Sequence, residues 1–161
     1  MNEQKQFMDD MVGDCNMPEC ETKREYGSLD KTLEWFAAAV PNPNDKNKVV
    51  QLGCHVEEIA EMLHALQPRS DLVIVTSRYA DTLKSATEAD VIQSCNKAEL
   101  LDALCDQLVT ICGVGYMLGF DMVGALAEVN RSNFSKFENS KPVFNEQGKI
   151  AKGKHYSKPD L

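Results

Sequence analysis

Residues 45–67 have the sequence DKNKVVQLGCHVEEIAEMLHALQ and are followed by Pro68. Apolar side chains recur in this stretch at alternating steps of three and four residues, which places them on one face of a helix. They are Val49, Leu52, Val56, Ile59, Leu63 and Leu66. The pattern therefore predicts a long amphipathic helix that ends before Pro68.

Shorter helical patterns flank this stretch. Ser28 is a predicted N-cap for a helix that stops before Pro41-Asn-Pro43, because a residue preceding proline disfavours helical geometry. A further short polar helix is predicted over about residues 3–12. Residues 71–93 are assigned to a helix that begins after Ser70 or Asp71, although residues 72–76 have the composition of a strand.

The helical signal is strong again from about residue 97 to 118. Leu101, Leu104, Leu108, Ile111 and Leu118 share one stripe. Because residues 107–120 contain no charge, this segment is predicted to be buried on most sides. Gly119 ends it, and Asp121 caps a last helix that reaches about Asn130. With little strand pattern, the predicted class is all-α, built as an antiparallel four-helix-bundle core.

Length and composition limit the function classes. The 161 residues predict one domain, and a net charge of −8 argues against general binding to nucleic acid or anionic membranes. No stretch has the roughly 20 apolar residues of a membrane span, and residues 1–14 lack a signal-peptide pattern. We therefore expect a cytoplasmic protein, whose six cysteines are reduced.

Two acidic clusters are the main candidate site. Glu57, Glu58 and Glu61 lie at helical spacing, and so do Glu99, Asp102 and Asp106. An acidic helical face is most often simply solvated. The second face, however, continues as Val109, Gly113 and Met117, with no Lys or Arg at helical spacing. Carboxylates in apolar surroundings need neutralisation, and Mg²⁺ prefers oxygen ligands and phosphates. The clusters thus predict metal-assisted hydrolysis of a polyphosphate.

The two clusters resemble a known signature. Glu57-Glu58-x-x-Glu61 followed by Glu99-x-x-Asp102 is similar to the EExxE…ExxD motif of the MazG-like all-α nucleoside triphosphate pyrophosphohydrolase superfamily. The stretch from Asp102 to Asp121 resembles its phosphoribosyl-ATP pyrophosphohydrolase-like branch. Residues 128–136, 148–156 and 159–161 are similar to a tail found in bacterial and phage members. The resemblance covers roughly residues 29–161, which divides the chain into an extension (1–28), a helical core (29–130) and a basic tail (131–161).

The resemblance implies the chemistry and its residues. A nucleoside triphosphate, preferably deoxy, would be cleaved between its α- and β-phosphates to a monophosphate and pyrophosphate, with Mg²⁺ or Mn²⁺. Glu58, Glu61, Glu99 and Asp102 correspond to the metal ligands, and Asp106 is an additional candidate. Glu57 corresponds to a further ligand or to the group that orients water, so that Glu57 and Glu58 are the expected catalytic pair.

The basic tail would complete the substrate site. Asn133 and Lys136 fall within the matching motif, and Lys149, Lys152 and Tyr156 are the other expected substrate-binding residues. The resemblance also implies a homodimer or homotetramer in a bacterium or a phage-infected host. Three alternatives remain open: a narrow dUTPase-like enzyme, a purine-selective dGTP or dATP diphosphohydrolase, and a non-catalytic helical protein that oligomerises and regulates a partner.

Overall fold

The computed structural model describes residues 26–86, 90–146 and 149–161. The regular secondary structure in this part of the chain is helical, which confirms the all-α class. The helices are α1 (Leu29–Ala39), α2 (Asp45–Leu66), α3 (Asp71–Ser85), α4 (Asp90–Gln93), α5 (Lys97–Met117) and α6 (Met122–Phe134). The helix predicted at residues 3–12 lies outside the described residues.

The helix starts follow from capping side chains. The Ser28 hydroxyl accepts a hydrogen bond from the Lys31 backbone N–H, as expected of the predicted cap of α1. At the start of α2, Asn44 and Asn47 exchange side-chain to backbone hydrogen bonds and so satisfy two N–H groups that the helix leaves unpaired. Ser70 caps α3, so the helical interpretation of the strand-like residues 72–76 is confirmed. The helix predicted to continue to residue 93 ends instead at Ser85, where Ala86 turns extended.

Helices α2 and α3 pack as an antiparallel hairpin. Lys46 near the start of α2 donates to the carbonyls of Lys84 and Ala86 at the end of α3. Small residues allow a close approach at this contact: a Cβ on Gly53 would lie 2.9 Å from the Ala80 carbonyl oxygen. The two helices therefore approach closely enough to hold the side chains of one helix against the other.

A buried asparagine joins α1 to α6. Asn130 is almost fully buried; its amide donates to the Tyr26 carbonyl at 2.6 Å, and its side-chain oxygen accepts from the Thr32 hydroxyl at 3.1 Å. Beside it, Trp35 stacks on Phe137 with centroids 6.1 Å apart. Helix α6 extends four residues beyond the predicted end at Asn130. The Trp35–Phe137 contact then holds the first residues of the tail against α1.

The prediction that residues 107–120 are buried is wrong for the single chain. Gly115 is the buried residue of α5, and its neighbours are open to solvent; Val109 is 71% and Met117 81% exposed. A segment without charge is expected to be buried, but the surface that buries it need not belong to the same chain. By length and composition alone, α5 could also cross a membrane.

The tail is extended, as predicted, and it packs on the helices. Isolated bridges pair Glu138 with Lys141 and Phe144 with Ile150. Gly153 lies against the Lys136 carbonyl, where a Cβ would come within 2.6 Å of the oxygen. This close approach holds residue 153 beside the end of α6, and Arg131 of α6 donates to the Lys158 carbonyl farther along the tail.

Candidate functional site

Glu57 of α2 lies between two lysines from distant parts of the chain. Its carboxylate accepts a hydrogen bond from Lys149 Nζ at 2.6 Å and another from Lys84 Nζ at 3.0 Å. The hydrogen bond from Lys149 is the main reason that the pKa of Glu57 is lowered, although partial burial opposes this. Neither lysine lies at helical spacing from Glu57, because the two come from α3 and from the tail.

Glu58 lies on the same helix without the two lysine hydrogen bonds that stabilise the charge of Glu57. Glu58 is exposed as a residue, yet enough protein surrounds its carboxylate for partial burial to raise its pKa, and the negative charge of nearby Glu61 raises it further. Lys149 and Lys136 act in the opposite direction on Glu58 without cancelling the shift. The carboxylate of Glu58, with the negative charge of Glu61 beside it, is a favourable place for added positive charge.

The tail brings its predicted substrate-binding residues to the part of α2 that carries Glu57 and Glu58. Lys136 Nζ donates to the Asn133 side-chain oxygen at 2.7 Å and lies 5.7 Å from the centre of the Trp35 ring. Burial lowers the pKa of Lys136, and the charges of Lys149 and Lys152 also lower it, whereas Tyr156 and Glu58 oppose the shift. Lys152 lies over the Tyr156 ring at 4.8 Å. The five predicted tail residues thus gather in one basic cluster.

One cavity borders the carboxylates of α2, and a second lies on the other side of Lys149. The first, of about 600 Å³, opens between α2 and α3. Its lining includes Glu57, Glu61, His64, Asp81 and Lys84. The other is an open cleft between α1, α2 and the tail, with a volume of about 150 Å³. It is lined by aromatic and aliphatic side chains together with Cys54, Lys136 and Lys149. Lys149 therefore connects Glu57 to the smaller cavity.

The second acidic cluster is not part of this arrangement within one chain. Glu99, Asp102 and Asp106 are exposed on α5, which reaches α2 through a 2.6 Å hydrogen bond between His55 Nε2 and Gln107 Oε1. Among the described residues, no group of three or more His, Cys, Asp or Glu side chains is placed to hold a metal ion. The expected cage of both clusters is therefore wrong for the single chain, because the acidic face of α5 is turned to solvent.

The residues of α2 nevertheless suit Mg²⁺ in part. That ion commonly takes one or two protein carboxylates and completes its octahedron with water and substrate phosphates. Glu58 and Glu61 can provide two carboxylates beside the basic tail. Glu57 is less available, because both of its oxygens already accept hydrogen bonds from lysines.

Two contributors to the site were not predicted. Lys84 reaches Glu57 and also pairs with Asp81 at 3.1 Å. Trp35 is buried and also lines the smaller cavity. The pairing of α3 with α2 sets the position of Lys84, and no local pattern near residue 84 indicates it. A lone tryptophan followed by Phe36 is more typical of a core than of a nucleobase-binding surface, and the burial of Trp35 confirms the core interpretation.

The link between Lys149 and Glu57 predicts a pH-dependent contribution to stability. Lys149→Met should lower the free energy of unfolding near neutral pH by about 1 kcal/mol or less, since partly exposed pairs contribute little. The lowered pKa of Glu57 means that this contribution is present above the usual glutamate pKa and is lost as pH falls through the lowered value. Burial alone would lower the pKa of Lys149, but its hydrogen bond to Glu57 raises it, so at alkaline pH the contribution persists until the raised value is passed.

Urea unfolding of the wild type and Lys149→Met between about pH 7 and pH 3 measures this difference. We expect the difference in free energy of unfolding between the two proteins to become smaller toward acid pH. Lys152→Met is the matched control, since Lys152 is exposed and makes its described contact with a ring instead of a carboxylate. A difference that stays constant over this range would show that the pair does not contribute as described.

Comparisons with known proteins give no relative: no family model, curated protein or solved structure matches this chain.

Proposed function

We propose that this chain is a metal-dependent nucleoside triphosphate pyrophosphohydrolase of the MazG-like all-α type. It would cleave a nucleoside triphosphate, preferably deoxy, to the monophosphate and pyrophosphate. One observation carries the proposal: the tail packs so that Lys136 and Lys149 lie beside the Glu57, Glu58 and Glu61 cluster. Ammonium groups next to paired carboxylates are what a Mg²⁺-bound polyphosphate requires, since it carries both negative oxygens and a cation.

Each residue then has a distinct part. Glu58 and Glu61 would hold the cation, and Lys136, Lys149 and Lys152 would bind phosphate oxygens. Glu57, held by Lys84 and Lys149, would fix the position of Lys149 and orient water through its remaining acceptor capacity. When bound, Mg²⁺ or Mn²⁺ supplies charge stabilisation at the phosphates and lowers the pKa of a coordinated water.

A second copy of the chain would complete the site. Helix α5 has apolar side chains around its circumference, and a helix of that kind is normally buried. Its acidic face continues as Val109 and Met117, so a neighbour that covers these side chains also covers Glu99, Asp102 and Asp106. Pairing through α5 would thus bring the second acidic cluster to the α2 cluster of another copy and build a four-helix bundle across a homodimer or homotetramer.

A non-catalytic role is the second candidate, and the exposure of α5 favours it equally. A helical protein could use this surface to bind and regulate a different partner. A membrane span is less favourable, because Asp102 and Asp106 would each cost about 2.5–3.5 kcal/mol near the bilayer centre. For the hydrolase we propose a cytoplasmic location, in a bacterium or in a phage-infected host.

The test is a product analysis by ion-exchange HPLC of the purified chain with each nucleoside triphosphate and deoxynucleoside triphosphate, including dUTP, in Mg²⁺. We expect at least one substrate to give monophosphate and pyrophosphate in equal amounts, and chelation of Mg²⁺ to stop the reaction. Diphosphate with free phosphate would contradict the proposed bond of cleavage, and no turnover of any nucleotide would favour the non-catalytic role.

A further inference from the structure

Helix α5 carries an exposed stripe that is complementary to the same stripe on a second copy. Leu101, Cys105, Leu108 and Cys112 follow one another at steps of four, three and four residues, which is the spacing of the seam between two paired helices. We propose that two copies of this chain associate through these stripes, with their α5 helices antiparallel about a two-fold axis. This inference rests on the proposed function only for the presence of a second copy. Its further content is the face, the orientation and the register of the contact.

The stripe is open to solvent in the single chain. Leu101 is 63% and Leu108 48% exposed, and the two cysteines of the stripe are exposed free thiols. Contacts of α5 with its own chain are made by Gln107, which bonds to α2, and by Gly115, which lies against α6. Val109 lies between the stripe and the acidic face of α5, so that one neighbouring helix can cover both.

The order of side-chain sizes along the stripe selects one register. One antiparallel register places Leu101 opposite Cys112 of the partner subunit and Cys105 opposite Leu108 of the partner subunit. Each of the four layers then contains one large and one small side chain, which fills the space between the helices evenly. This register is centred between residues 106 and 107, and α5 (Lys97–Met117) is itself centred on residue 107. The two helices therefore overlap over nearly their full length.

The charges of α5 select the antiparallel orientation. Lys97, Glu99, Asp102 and Asp106 are the charged residues of the helix, and all of them lie in its first half. A parallel pair would hold the two acidic halves side by side, which is unfavourable. An antiparallel pair instead places each acidic half against the uncharged half of the other helix. The opposite partial charges at the helix ends then also lie next to each other.

The proposed register brings one cysteine of each copy close to the two-fold axis. Because α5 rises about 1.5 Å per residue, the two Cys105 residues would lie about 4.5 Å apart along the helix axes. The two Cys112 residues would lie about 16.5 Å apart in the same direction. A parallel pair would instead place each cysteine directly beside its own copy. The two thiols therefore report on the orientation of the helices.

Thiol cross-linking of the full chain tests the face and the orientation together. The protein at micromolar concentration is treated with a short bismaleimide, which joins neighbouring thiols through thioether bonds, and is then digested with trypsin and analysed by mass spectrometry. Residues 98–131 form one tryptic peptide that carries both cysteines of the stripe, so Cys105→Ser and Cys112→Ser each leave it with one thiol. We expect a cross-linked dimer of this peptide in Cys112→Ser and at least about tenfold less of it in Cys105→Ser, because of the difference in distance.

Each variant is the matched control for the other, since both replace an exposed thiol of the same stripe by a hydroxyl. Equal yields of the peptide dimer in the two variants would indicate parallel helices. Absence of the peptide dimer from both would mean that a different surface, or none, covers the stripe. Either result overturns the assignment.

A charge near the centre of the contact tests how much the stripe contributes. Leu108→Glu places a carboxylate beside the two-fold axis in both copies, and we expect the dissociation constant from sedimentation velocity to rise at least about 100-fold. Leu72→Glu makes the same change at a leucine of α3 that is 61% exposed, and it should alter the constant by no more than about threefold. No effect of Leu108→Glu, or an equal effect of both variants, would contradict the proposed contact.

The readouts separate this inference from the proposed function. A Cys105 cross-link together with no hydrolysis of any triphosphate would leave the α5 contact standing and remove the hydrolase. Pyrophosphate release by an oligomer whose Cys105 residues do not cross-link would do the reverse.

Discussion

Replacement of Glu58 by glutamine is expected to lower pyrophosphate release by roughly 10²–10³-fold, the range found when one charge-stabilising group is removed from an active site. The change keeps the size of the side chain and removes a negative charge, which partial burial and the neighbouring charge of Glu61 make unfavourable. For the same reason the variant is expected to be as stable as the wild type, or slightly more stable, without metal. Loss of activity together with retained stability distinguishes a site residue from a structural one.

The measurement combines initial rates by HPLC with thermal unfolding in the presence and absence of Mg²⁺. We expect Mg²⁺ to raise the unfolding temperature of the wild type and to have a smaller effect on Glu58→Gln, because a ligand that binds the folded state stabilises it by mass action. Glu34→Gln is the matched control: it makes the same chemical change at an exposed glutamate of α1 whose described partner is Lys31. Wild-type activity and an unchanged metal response in Glu58→Gln would remove Glu58 from the site.

Introduction of charge on the acidic face of α5 is expected to separate the subunits. In Val109→Glu with Met117→Glu, two strongly exposed apolar side chains of the single chain become carboxylates beside Glu99, Asp102 and Asp106. Burial of each apolar side chain contributes about 1.5–3 kcal/mol, and a symmetric dimer buries each position twice. Since about 1.4 kcal/mol corresponds to tenfold in affinity, we expect the dissociation constant to rise by roughly 10³-fold or more.

Size-exclusion chromatography with light scattering gives the mass of each species. We expect the wild type to elute as a dimer or tetramer and the double variant to elute as one chain, with activity lost alongside. Leu161→Glu serves as a control, since it introduces the same charge at a side chain that is 80% exposed and lies far along the tail. A wild type with the mass of one chain at micromolar concentration would contradict the assembly, and recovery only in detergent would favour the membrane instead.

Local sequence signals accounted well for the helices. Alternating apolar spacing predicted α2 to within one residue at its end, and the caps Ser28, Ser70 and Asp121 marked the starts of α1, α3 and α6. Capping and periodicity depend on residues three or four apart, so the information lies in the chain itself. The end of α6 was less accurate because residues 131–134 stay helical in contact with α1 and the tail.

The candidate site was accessible to sequence analysis only in part. The acidic motif on α2 and the basic residues of the tail could be named from their types and spacing. The sequence could not show that Lys149 reaches Glu57 across 92 positions, or that Lys84 reaches it from α3. Side-chain spacing gives no register between elements that are far apart in sequence.

For this protein, the sequence by itself determined which segments are helical and which residues carry charge, because both follow from short-range covalent neighbours. The tertiary structure alone decided that the tail returns to α2, that Lys84 and Lys149 meet at Glu57, and that α5 is left exposed to solvent. The physical reason is that burial and pairing are properties of surfaces brought together by packing, and these surfaces belong to residues tens of positions apart.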